Sequence, residues 1–225
     1  MPKRSTPILA LLAGKAIVFR GPDEPGAAPE LSAIVKQPLL GSVIITPLGI
    51  AGDEQGDRLN HGGPDMALHH YPYDHYRAWR TELGKNPLLN APGAFGENIS
   101  TTGLTERTVF LGDRFSLGTA VVEVSKARQP CWKQANRLGQ PDMVSRIVAT
   151  RRPGWYYRVL EPGVVDAGDG MTLLERPRPT WPLDRLFGLL IAGDHKRDPS
   201  PLAELVDDQL LAVDWRERAR ELLGK

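Results

Sequence analysis

Glycine and proline punctuate this chain so often that no long helix fits before residue 175. They supply 43 of the 225 residues, 23 Gly and 20 Pro, well above the roughly 12% of an average protein. Between them lie eight short β-favouring runs, at 15–19, 32–35, 43–46, 67–71, 114–117, 121–125, 156–160 and 171–174. Short strands separated by turn residues predict a barrel or a sandwich. Segments 73–83 and 142–150 break that rhythm. Each follows a proline closely and has the length and spacing of a short helix. Beyond residue 175 a proline-rich connector, RPRPTWP, leads into helical patterns at 183–192 and 201–223. The expectation is a mostly β chain with some α, having a β domain over 1–176 and a C-terminal helical subdomain over 177–225. The tail reads as an appendage, because every reactive segment precedes it.

Charge and cysteine usage narrow the function classes. Lys plus Arg is 28 and Asp plus Glu is 27, a net charge of +1, which leaves no excess to hold a nucleic-acid polymer or an anionic bilayer. Any anion must be bound locally. The apolar run ILALLA at 8–13 is far short of the roughly 20 residues that span a bilayer, so no membrane association is expected and the location expected is cytoplasmic. One cysteine, Cys131, rules out an internal disulfide or a cluster held by four thiolates of this chain.

Four segments combine reactive side chains with residues that fix the backbone. In GDEQGDRLNHGGPD, at 52–65, His61 precedes Gly62 and Gly63, which can bring backbone N–H groups close to an anion or simply make a turn. ALHHYPYDH, at 67–75, places four of the five histidines within 61–75. A histidine-only metal centre is nevertheless disfavoured, since His69 and His70 are adjacent in a strand and point to opposite faces. FGENIS, at 95–100, offers Glu97 and Asn98 as an acid and an amide, or as a turn cap. SKARQPCWK, at 125–133, surrounds Cys131 with Lys126, Arg128 and Lys133, company that favours a thiolate over an inert core thiol. In GWYYRVLEP, Arg158 points either into the barrel mouth or outward to a surface carboxylate.

Taken together, HGGPDMALHHYP, PGAFGENIS, RQPCWK and GWYYRV, in this order and at these separations, resemble the MOSC family, the domain related to the C-terminal part of molybdenum cofactor sulfurase. The resemblance runs from about residue 13 to 175 and is strongest to the small bacterial members linked to 6-hydroxylaminopurine resistance. It implies a MOSC-type β-barrel carrying the molybdenum cofactor (molybdopterin), with Cys131 as the metal ligand. It also places Lys15, His61, Gly62, Gly63, Asn98, Arg128 and Arg158 in motifs that line the cofactor cleft. A thiolate suits a thiophilic metal, and a local set of cations with a glycine turn suits the cofactor's phosphate.

The reaction this implies is two-electron reduction of a small N-hydroxylated substrate, a hydroxylaminopurine-like base or an amidoxime, with the oxygen lost as water. Cys131 is then catalytic with His61 or His70 as proton donor, because imidazole titrates near neutral pH, and Glu97 stands second. The chain shows no cysteine set for an iron–sulfur domain, so a separate flavin or iron–sulfur reductase is the expected electron donor. A homodimer is compatible with the sequence. The alternative from another class is a carrier of molybdenum cofactor or sulfur using the same cysteine. A third reading, a cysteine hydrolase, fits the residue types but not the glycine turn and the cations.

Overall fold

The computed structural model describes residues 5–20, 28–56, 62–166 and 168–224. Seven strands close into a barrel: β1 (Ser5–Ala13), β2 (Leu68–Pro72), β3 (Ile99–Thr101), β4 (Arg114–Leu117), β5 (Ala120–Ala127), β6 (Trp155–Glu161) and β7 (Gly170–Glu175). Their order around the ring is β7-β4-β5-β6-β2-β3-β1, and β1 pairs back onto β7 through Ser5↔Thr172 and Pro7↔Gly170. Only β2 and β3 run parallel among these pairs. Closure removes the exposed edges that an open sheet of this size would present.

The run 8–13, read above only for its apolar length, is the body of the first barrel strand, with Leu11 and Leu12 buried. The neighbouring run expected at 15–19 instead contributes to a hairpin outside the barrel, Ile17–Arg20 paired with Glu30–Ser32. The run at 43–46 joins a small separate sheet with Gly49–Ile50 and Gly163–Val165.

Helices α1 (Asp74–Leu83), α2 (Trp132–Leu138) and α3 (Met143–Thr150) cover one side of the barrel. They share an aromatic cluster built from Tyr71, Tyr76, Trp79 and Phe95. The tail forms α4 (Leu183–Leu190), α5 (Leu202–Leu205) and α6 (Val213–Leu223). The expected boundary at 176/177 coincides with the end of β7. The core does not stop there: Trp181, Leu186, Phe187, Leu190 and Trp215 belong to the same buried cluster as barrel residues Leu68, Val122, Val124 and Tyr157. Among the described residues no helix is long and apolar enough to cross a membrane.

Strand parity decides what reaches the barrel interior. On β2 and β6, Leu68, His70, Trp155 and Tyr157 face inward, so His69 and Tyr156 face outward. Tyr156 pairs with His69 across β6–β2 and with Lys126 across β6–β5, where the register shifts between Val124 and Lys126. Lys126, Tyr156 and His69 thus form one row across three strands of the outer face.

Candidate functional site

Cys131 lines one cleft with two members of that row, Lys126 and Tyr156. After β5, the Arg128 N–H donates to the Gly154 carbonyl at 3.0 Å, and Gln129 and Pro130 then lead to Cys131 as the N-cap of α2. The cap is reciprocal. The Gln134 backbone N–H donates to the Cys131 side chain, while the Gln134 side-chain oxygen accepts from the Cys131 N–H at 3.3 Å. A hydrogen bond donated to sulfur favours its anionic form. Cys131 is half-buried, forms no disulfide and lines a cleft of about 600 Å³. Gly62, Gly63, Met66, Lys126 and Tyr156 share its wall. Gly63 has φ 94° and ψ 173°, a conformation almost confined to glycine.

A second, smaller cavity of about 80 Å³ adjoins the first and shares Met66 and Tyr156 with it. Its walls carry Lys36, Arg128, Lys133 and His69, with Asn98 and Asp53. Arg128 is only 6% exposed. Its Nη1 donates to the Phe95 carbonyl and, at 3.2 Å, to His69 Nδ1, while its buried Nε has no partner among the described residues. Among the described residues no carboxylate pairs with it. A buried guanidinium without a counter-charge costs several kcal/mol of desolvation, so this cavity suits an anion.

Because Arg128 can only donate, His69 Nδ1 is the acceptor and the ring proton sits on Nε2, a buried atom with no hydrogen-bond partner among the described residues. Burial first, and then the Arg128 charge, hold the His69 pKa well below the usual imidazole value. The ring is therefore neutral at physiological pH. Lys36 pairs with Asp53 at 2.6 Å, with burial pulling its pKa down against that pairing. Asn98 ties the floor together, accepting from the His69 N–H at 3.0 Å and donating to Leu12 O and Asp53 Oδ2.

Of the residues singled out from sequence, Gly62, Gly63, Asn98, Arg128 and Cys131 line these two adjoining cavities. His61 lies outside the described residues. Four expectations are corrected. His70 faces the barrel interior, its ring nitrogens meeting Tyr157 Oη at 3.1 Å and Thr101 Oγ1 at 2.9 Å, and burial pulls its pKa down to about 3. It neither reaches the cleft nor holds a proton at neutral pH, and His69 occupies the outward position. Lys15 is exposed and pairs with Glu54 at 3.0 Å, so the cation from this region that lines the cavity is Lys36. Arg158 points outward into ion pairs with Asp65 at 2.8 Å and Glu123 at 2.9 Å. It anchors the turn after Gly63 and lines neither cavity. Glu97 is fully buried away from the cleft, accepting from the Tyr76 hydroxyl and from the N–H groups of Gly93 and Phe95.

The tail is also closer to the site than its separate reading implied. Val213, Asp214 and Glu217 of α6 form part of the wall of the larger cleft, and Asp214 pairs with Lys126 at 2.5 Å. Sequence reasoning missed Lys36, His69 and Tyr156 as cavity residues. The last two were signalled by parity, once Trp155, Tyr157 and His70 are assigned to the barrel interior.

The MOSC domain profile matches residues 57–172 of the chain. The chain is 43% identical over 145 residues to the protein YiiM of Escherichia coli K12, an alignment covering 64% of this chain and 65% of YiiM. It is 43% identical over 151 residues to a protein of Gibberella moniliformis named "Reductase", covering 67% of this chain and 27% of that protein. The chain thus spans less than two thirds of each of these two relatives. The crystal structure of YiiM from Geobacillus stearothermophilus superimposes with a TM-score of 0.77 at 30% identity, covering 96% of this chain and 97% of that one.

Proposed function

The chain belongs to the MOSC domain family, and from that premise we propose that it is a molybdenum-cofactor-dependent reductase of small N-hydroxylated compounds. The observation that carries this reading is the pairing, in adjoining cavities, of a thiol with a buried guanidinium that lacks a carboxylate. Such a donor set fits a thiolate-ligated, phosphate-bearing group. A relative named "Reductase" supports the same reaction class.

When bound, the cofactor supplies the two-electron redox chemistry, for a net reaction in which R–NHOH, two electrons and two protons give R–NH2 and water. The remaining work belongs to the chain. Cys131 offers its sulfur to the metal, steadied by the cap with Gln134. Arg128 and Lys36 hold the anionic end, and neutral His69 presents its Nε2–H beside them. Gly63 lets the turn's backbone approach closely. The larger cleft, walled by α6, admits the substrate. His61 is the proposed proton donor. A separate flavin or iron–sulfur reductase is the proposed source of electrons.

The test uses protein purified from a host that makes the cofactor, given excess chemical reductant and benzamidoxime. The wild type should convert benzamidoxime to benzamidine, and Cys131→Ser should not. Stoichiometric molybdenum without conversion of any N-hydroxylated compound would overturn the reductase reading in favour of a cofactor carrier.

A further inference from the structure

The two cavities share Met66 and Tyr156, and of these Tyr156 carries the polar group. Tyr156 lines both, its ring packed on His69 with centroids 5.2 Å apart and the Lys126 Nζ 6.0 Å from its own centroid. The neighbouring tyrosines are otherwise engaged. Tyr157 meets His70 inside the barrel, Tyr76 donates to Glu97, and Tyr71 donates to the Arg152 carbonyl. The Tyr156 hydroxyl has no hydrogen-bond partner among the described residues.

We propose that Tyr156 is the substrate-orienting residue of this cleft, its phenol O–H donating a hydrogen bond to the oxygen of the N–OH group that is to be removed. This rests on the reading of the protein as a reductase of N-hydroxylated compounds. Its warrant is partly the fate of the other polar groups. His70 and Glu97 are turned away from the cleft, Lys126 is committed to Asp214, and His69, bonded to Arg128 through Nδ1, lines only the smaller cavity. A phenol is a dependable donor at neutral pH, and burial pushes that of Tyr156 further up, with Arg128 opposing. The position also suits selection. A hydroxyl between the thiol side and the cation side meets the substrate's reacting end and leaves the rest of the substrate to the larger cleft.

The experiment compares the wild type with Tyr156→Phe, both full-length and cofactor-loaded, for binding of benzamidoxime and of benzamidine, which lacks the oxygen, by titration calorimetry. Molybdenum content and conversion are measured on the same samples. The variant should keep its molybdenum and its benzamidine affinity while losing about 3- to 10-fold in benzamidoxime affinity, the share of one neutral hydrogen bond. Unchanged benzamidoxime affinity would overturn the proposal, as would equal losses for both probes, which would mark a packing role. Loss of molybdenum in Tyr156→Phe would overturn it too, since the residue would then belong to cofactor retention. A wild type that binds benzamidoxime through Tyr156 but does not reduce it would instead overturn the reductase reading and leave the contact standing.

Discussion

Arg128 carries its cost in stability whenever no anion is bound. Replacing a buried ion pair with well-packed apolar side chains is often neutral or stabilising by about 1–4 kcal/mol, and among the described residues Arg128 lacks even the partner charge that would offset its desolvation. Arg128→Met should therefore leave the anion-free protein at least as stable as wild type in urea unfolding while abolishing bound molybdenum. A clear destabilisation would mean that the guanidinium serves the fold. His70 gives a prediction in pH. Its folded pKa of about 3 lies below the ordinary 6.5, so the folded state binds fewer protons than the unfolded one. Its contribution is complete above about pH 6.5 and is lost as pH falls toward 3, by roughly 1.4 kcal/mol per unit. The stability difference between wild type and His70→Gln should shrink by about 2 kcal/mol from pH 7 to pH 5. A difference that does not change with pH would contradict the buried neutral ring. At this scale the sequence marked Cys131 and Arg128 by the company they keep. It could not separate His69 from His70, because parity fixes which of two neighbours faces out only after one strand has been oriented against a core.

Among the elements, the turn at Gly63 and helix α2 set the mouth of the cleft. Among the described residues nothing lies within 4 Å of where a Cβ on Gly63 would stand. The cost of Gly63→Ala is then conformational, about 1–3 kcal/mol for a side chain forced to φ 94°. Thermal unfolding should report that loss together with reduced molybdenum content, whereas unchanged stability would show that the turn relaxes freely. The turn itself was legible, since Gly-Gly-Pro has few other conformational uses. Helix α2 was not. It is short, and its cap is a cysteine where Ser, Thr, Asp or Asn would signal a start. The strand that closes the barrel was hidden for another reason: the run at 8–13 carries so little alternation that it reads as apolar length alone.

Across the whole molecule, the tail and the barrel are one core. Trp181, Phe187 and Trp215 are each at most 2% exposed within a cluster shared with barrel strands, and the Ala212 N–H donates to the Ser125 carbonyl on β5 at 3.0 Å. Cutting the chain after Arg178 would remove these side chains and expose the barrel residues packed against them, so the truncated protein should aggregate or lose its near-ultraviolet circular dichroism. A folded, soluble truncation that still holds molybdenum would contradict the shared core and restore the tail as an appendage. The change of composition after residue 175 signalled a boundary in chain order. It could not reveal packing, because a helix with one apolar face looks alike whether that face meets its own subdomain or a barrel. The central claim is that Cys131 and the buried cations hold a molybdenum cofactor, and the molybdenum-to-protein ratio tests it most directly. In protein from a cofactor-producing host, the account predicts a ratio near one for wild type, falling close to zero in both Cys131→Ser and Arg128→Met while both variants stay folded. A wild type without molybdenum, or a Cys131→Ser variant that retains it in full, would contradict the account.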